Sequence, residues 1–152
     1  MINDSDIKQM SPLVLAYMGD AVYEKYIREY VIRQGLCKNG LLHKKTIKYV
    51  SAKAQAEIIR RLEEKLTEEE LSVVRRGRNS NPHSTAKNAD IIDYKYATGF
   101  EALIGYLYLT KQNDRLEEIL AECVKWLEFY LARNKFCIEL LADKGYNLFW
   151  KR

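Results

Sequence analysis

An all-α domain, a helix bundle, is what this sequence predicts, and three observations predict it. Seven glycines and two prolines in 152 residues are too few for a turn-rich all-β protein. Ala, Leu, Ile, Glu, Lys and Arg fill most of the chain and favour helix. Apolar side chains recur at helical intervals between recognisable cap signals. At 17.8 kDa and 47% apolar, the chain has length for one core and not for two. A single domain is expected, with its core over about residues 11–134.

Each element has its own justification. Ser11 followed by Pro12 reads as an N-cap and a first-turn proline, whose missing N–H is no loss there. Leu13, Tyr17, Val22, Tyr26 and Ile27 then recur at helical spacing until Gly35 offers a stop, so a first long helix spans about 11–34. A second covers about 39–49. Ser51 is a plausible cap for residues 52–65, where Ala54, Ile58, Ile59 and Leu62 make an apolar stripe. Thr67 and Glu70 have capping-box spacing, so another helix begins there. Gly77 to Ala89 holds Asn79, Asn81, Pro82, Ser84 and Thr85, which favour turns, and reads as a mobile loop. A strongly apolar helix follows over about 90–111, then an amphipathic one over about 113–134. The tail from Lys135 is weakly specified, and no internal repeat or linker interrupts the chain.

Lys and Arg number 25 against 21 Asp and Glu, a net charge of +4 that does not by itself prove a nucleic-acid partner. The distribution is more informative. Lys44, Lys45, Lys48 and Lys53 fall in an acid-free stretch, and Arg75, Arg76 and Arg78 follow an acidic one, so a phosphate-binding face is expected from them. For Lys44, Lys45 and Lys48 alone, a solvated helix face is the stronger reading. Cys37, Cys123 and Cys137 lack Cys-x-x-Cys spacing, and His43 and His83 are the sole histidines, which argues against a disulfide framework or a zinc site. No basic leader and no membrane-length apolar run is seen, so a soluble cytoplasmic protein with no membrane partner is expected.

Two acids are set into mostly apolar helical segments: Asp20 within residues 15–23, and Glu101 within residues 96–106. A carboxylate taken out of water loses several kcal/mol of solvation. Such groups protonate, pair with a cation or hold a metal. The bland alternative is two solvated carboxylates at the edge of a bundle. Gly19 and Gly105 each sacrifice about 1 kcal/mol of helix propensity, which suggests close helix approach beside the acids. Tyr23, Tyr26, Tyr30, Tyr94, Tyr106 and Tyr108 fall at spacings that suit a core or a subunit contact.

Met18-Gly19-Asp20-Ala21-Val22 resembles the signature helix of ribonuclease III, and Phe100-Glu101-Ala102-Leu103-Ile104-Gly105 resembles that family's second acidic helix. Leu42-His43-Lys44-Lys45, Val50-Ser51-Ala52-Lys53-Ala54-Gln55-Ala56, Arg75-Arg76-Gly77-Arg78-Asn79 and Lys87-Asn88 resemble the Mini-III branch in particular. The likeness covers about residues 11–112.

The resemblance implies a ribonuclease III-type endonuclease domain acting on double-stranded RNA as a homodimer. Asp20 and Glu101 would be the catalytic, metal-binding acids, with Mg²⁺ as cofactor and Mn²⁺ able to substitute. The cation would polarise the scissile phosphate and lower the pKa of the attacking water, leaving 5′-phosphate and 3′-hydroxyl ends. Arg75, Arg76, Arg78 and Lys87, with Lys44, Lys45 and Lys53, would contact the duplex, whose A-form minor groove is recognised mainly by shape. Nothing after Lys111 is long enough for a separate double-stranded-RNA-binding domain. The Mini-III likeness further implies precursor 23S ribosomal RNA as substrate, with a bound ribosomal protein shaping it.

The match is incomplete. Leu13 and Ala16 stand where acids precede the Gly-Asp pair, and Thr98 stands where an Asp precedes the Glu. A one-ion site or recruitment of another acid is therefore expected. Glu24, one turn beyond Asp20, is a candidate, with a solvated glutamate as the competing reading; Asp93, two turns before Glu101, is a weaker one. The same departures suit a second hypothesis, a non-catalytic RNA-binding module of ribosome assembly on the same fold. A third, a helical nucleotide pyrophosphatase, would need acids clustered on one helix face. Glu63, Glu64 and Glu68 to Glu70 are the clusters available, and capping or solvation accounts for them.

Overall fold

A helix that alternates small and large apolar residues can be approached closely from several sides, and the helix Ala89–Leu109 is surrounded in this way. The computed structural model describes residues 2–35, 39–80 and 89–143. In chain order its helices are α1 (Asp4–Gln9), α2 (Pro12–Arg33), α3 (Asn39–Val50), α4 (Ala52–Leu62), α5 (Glu68–Asn79), α6 (Ala89–Leu109) and α7 (Asn113–Asp143), with a 3₁₀ turn at Glu63–Lys65. Helix α6 packs against α2, α4, α5 and α7, and the described residues include no strand. Phe100, Leu103, Ile104 and Leu107 of α6 are fully buried, and Tyr23 meets Phe100 edge to face with ring centroids 4.9 Å apart. The all-α reading is correct.

The cap signals operate largely as read. Ser11 is the N-cap of α2 ahead of Pro12, although its side chain makes no capping hydrogen bond. Gly35 ends α2 with φ +83°, a conformation that L side chains rarely adopt. Ser51 Oγ accepts from the Ala54 N–H at 3.2 Å. Thr67 and Glu70 form the reciprocal capping box. Glu70 is only 4% exposed, and its oxygens accept from Arg115 Nε and Nη2 at 2.8 and 2.9 Å. Burial opposes its charge, but the hydrogen bonds from Arg115 and Thr67 prevail and hold the carboxyl below its ordinary value. This links α5 to the start of α7.

Several boundaries differ from the sequence reading. Helix α1 was not anticipated; Asn3 and Asp6 close a capping box on it. Helix α4 ends at Leu62 and tightens into the 3₁₀ turn. Helix α5 continues through Gly77 to Asn79, where a loop was expected, because Gly77 is a packing position. A Cβ there would lie 2.7 Å from Gly99 Cα of α6. The rest of the expected loop, 81–88 with Lys87, lies outside the described residues, as does Cys37. Helix α7 runs past Asn134 to Asp143. Tyr23 and Tyr106 are core residues, whereas Tyr94 and Tyr108 are exposed. No helix among the described residues is long and apolar enough to cross a membrane.

Candidate active site

The acids are brought together by a pair of glycines. A Cβ on Gly19 would sit 1.7 Å from the Glu101 carbonyl oxygen, and one on Gly105 would sit 1.9 Å from the Leu15 carbonyl oxygen. Leu15 faces Gly105 and Gly19 faces Glu101, so α2 and α6 cross in opposite directions with their backbones in contact. No side chain fits between them. The residue after Gly19 is Asp20, and the residue against Gly19 is Glu101; the crossing that removes two Cβ atoms brings the two acids close enough for the Asp20 charge to act on Glu101.

Each carboxyl responds to that setting. Glu101 is half-buried, and its pKa rises to about 7, chiefly through burial and then through the charge of Asp20. Asp20 is exposed at the mouth, and its pKa is also raised, by partial burial and by Glu24. The desolvation argument made from sequence therefore applies to Glu101 more than to Asp20. Neither carboxylate has a Lys or Arg partner among the described residues. Two adjacent acids, one half-buried and both without a cation, are a donor set that fits one hard divalent ion. Mg²⁺ binds through one or two carboxylates and completes its shell with water and phosphate oxygens.

The additional acids considered are already engaged. Glu24 Oε1 accepts from Arg28 Nη2 at 2.8 Å and Nε at 3.3 Å. Asp93 pairs with Arg60 at 3.2 Å. Ala16 is buried, Leu13 is partly exposed, and the Thr98 hydroxyl donates to the Tyr94 carbonyl at 2.9 Å. Among the described residues no three His, Cys, Asp or Glu side chains gather at one point, so the site rests on a pair.

The model of the ribonuclease III domain matches residues 13–112, from α2 to the end of α6. A Mini-ribonuclease 3 of Clostridium tetani is 56% identical over 117 residues, covering 76% of this chain and 77% of the relative. One from Enterococcus faecalis is 52% identical over 122 residues, covering 79% and 92%. The chain belongs to the Mini-ribonuclease III branch of the ribonuclease III family. A crystal structure of a protein from Fusobacterium nucleatum, 32% identical, superposes with a TM-score of 0.70, covering 79% of this chain and 96% of that one. As a member of this family the chain is an endoribonuclease that cuts double-stranded RNA.

For a ribonuclease III, the cationic residues matter next, and their placements vary. Lys53 is exposed on the first turn of α4. Lys44 and Lys48 are exposed on α3, and Lys45 donates to the Gln34 side chain. Arg75, Arg76 and Arg78 diverge, as residues one and two apart on a helix must. Arg75 is exposed. Arg76 donates to the Lys8 carbonyl at 3.2 Å. Arg78 lies 4.0 Å over the Tyr96 ring and 3.5 Å from Glu63, and Arg60 lies 4.4 Å from the same ring.

Sequence reasoning singled out no role for Gln55. It is 2% exposed in the first turn of α4, and its amide acts on Glu101, favouring the ionised form. The signal available was a long polar side chain among Ala54, Ala56, Ile58 and Ile59, at a position the apolar stripe would otherwise bury.

Proposed function

We propose that Asp20 and Glu101 hold the magnesium ion with which this endoribonuclease hydrolyses duplex RNA, Mn²⁺ being able to substitute. The observation that carries the reading is the pairing of two uncompensated carboxylates across the Gly19–Gly105 contact. Bound there, the cation supplies a Lewis acid for the scissile phosphate and an acidified water. The protein's part is to hold two oxygen donors at fixed separation and to give up the Glu101 proton near neutral pH as the cation arrives. Lys53 and Arg75, exposed and without protein partners among the described residues, are suited to phosphate contacts that position the duplex. Arg76, Arg78, Lys44, Lys45 and Lys87 complete the proposed RNA-binding set.

The working form is a homodimer, and the substrate is precursor 23S ribosomal RNA carrying a bound ribosomal protein, in the cytoplasm. Support for the dimer comes from α2, where Leu13, Val14 and Tyr17 are 39%, 50% and 82% exposed immediately before Asp20. An apolar face of that kind on a helix otherwise packed in the core suits a subunit contact.

Incubation of a structured precursor RNA with the protein, in Mg²⁺ and in EDTA, tests the reading. Asp20→Asn is expected to abolish cleavage while fold and RNA affinity persist, with wild-type products carrying 5′-phosphate ends. Near-normal single-turnover cleavage by Asp20→Asn would reject the assignment. A Glu24→Gln variant keeps the parental Mg²⁺ dependence.

A further inference from the structure

A buried amide has two donors and an acceptor to satisfy, and that of Gln55 is satisfied on one side only. Its Nε2 donates to the Val50 carbonyl at 3.2 Å, across the α3–α4 junction, and the same amide acts on the Glu101 carboxylate. Both neighbours are acceptors, so the nitrogen must face them; turning the amide over would set its oxygen against a carbonyl and a carboxylate. Oε1 is then left buried with no protein donor among the described residues. Buried acceptors of this kind are rare, and each calls for a donor. The carboxylate on which the amide acts, Glu101, belongs to the acid pair, which has no Lys or Arg partner among the described residues.

We propose that Gln55 is a positioning residue of the acid site, its nitrogen steadying the Glu101 carboxylate and its Oε1 accepting a hydrogen bond from a water of the divalent cation's shell. The proposal rests on the reading of Asp20 and Glu101 as metal ligands. Mg²⁺ retains several waters when it binds through few carboxylates, and each needs acceptors for its protons. A site with two protein oxygens leaves more of that shell to be oriented than a site with four. An amide oxygen suits the task because it accepts without adding charge beside two carboxylates that already repel. Ser51, which caps α4, and the Val50 carbonyl fix the turn that points the Gln55 side chain inward. Residues that orient a metal's shell in this way typically change metal affinity or activity by about 10–100-fold when removed.

The test uses the full chain without RNA, with Mn²⁺ alone as the probe, followed by its electron paramagnetic resonance signal. Gln55→Met keeps length and apolar volume while removing both the donor and the acceptor. It is expected to bind Mn²⁺ at least about 10-fold more weakly than wild type, as Asp20→Asn does. Affinity within about 2-fold of wild type in Gln55→Met, with binding lost in Asp20→Asn, overturns the Gln55 role and leaves the acid site standing. Unchanged binding in Asp20→Asn overturns the acid site, and the Gln55 role with it. Should Gln55→Met fail to fold, the wild-type side-chain amide of Gln55 supplies the readout. Its ¹⁵N–¹H₂ cross-peaks are expected to shift on titration with Mg²⁺ alone and to stay fixed in Asp20→Asn. Peaks that do not move in wild type as the Asp20 and Glu101 signals do refute the proposal.

Discussion

Replacing Glu101 by Gln is expected to stabilise the metal-free protein while destroying its activity. In the folded chain the carboxyl is raised from its ordinary 4.5 to about 7, burial being the main cause and the Asp20 charge the second. At about 1.36 kcal/mol per pH unit, ionising it in place costs about 3 kcal/mol more than in the unfolded chain. Glu101 is half-buried, and solvent screening lowers that figure to between about 1 and 3 kcal/mol. The folded protein holds the proton to higher pH than the unfolded chain does. The stability this group contributes is therefore intact below about 4.5 and falls as the pH rises towards 7. Glutamine has the same shape and no charge, so it escapes that fall.

Urea unfolding in EDTA, at one protein concentration, measures the effect for both proteins between pH 4.5 and 8. The advantage of Glu101→Gln should be below about 0.5 kcal/mol at the acid end and should grow to about 1–3 kcal/mol at pH 8. Added Mg²⁺ should then raise wild type by about 2.7 kcal/mol at a hundred times its dissociation constant and leave the variant unmoved. An advantage that does not change with pH, or a variant weaker than wild type at pH 8, refutes the argument that Glu101 is held against its charge.

Two further outcomes follow from packing and charge. Breaking the Glu70–Arg115 pair with Glu70→Gln should cost about 1–3 kcal/mol by urea unfolding, since Arg115 is partly exposed and keeps Glu118 and the Lys65 carbonyl as partners. Removing the exposed Lys8–Glu69 pair, 2.8 Å long, should leave the unfolding midpoint nearly unmoved, because water screens it. The Glu70 carboxyl is depressed, so its contribution is present above the ordinary carboxylate range and lost as the pH falls through its lowered value. In RNA binding, Arg75→Ala should lower the slope of log affinity against log salt by about 1. Arg76→Ala, whose guanidinium already serves the Lys8 carbonyl, should change it less; equal slopes would show that both reach phosphates.

Much of this molecule was legible because the signals are local. Caps at Ser11, Ser51 and Thr67 and the stop at Gly35 act within one helical turn, so the residues that define each boundary are neighbours in sequence. Asp20 and Glu101 were legible as polar residues in apolar helical segments, and Gly19 and Gly105 as helix-weakening residues with no local reason to be there. The reading of Gly77 as the start of a loop failed because a glycine looks the same in a turn and at a helix crossing, and what distinguishes them is Gly99, twenty-two residues away.

What the sequence by itself determined is the helices from α2 to α7, their polarity, and the two acids with the glycines beside them, since propensity, capping and periodicity operate over a few residues. Only the tertiary structure decided that Glu101 is the desolvated member and Asp20 the exposed one, that Arg28 and Arg60 take Glu24 and Asp93, and that Gln55 enters the site. Burial and charge pairing depend on which surfaces are pressed together. Here that contact is the α2–α6 crossing, where two absent Cβ atoms let backbones meet and bring Asp20 near enough for its charge to act on Glu101.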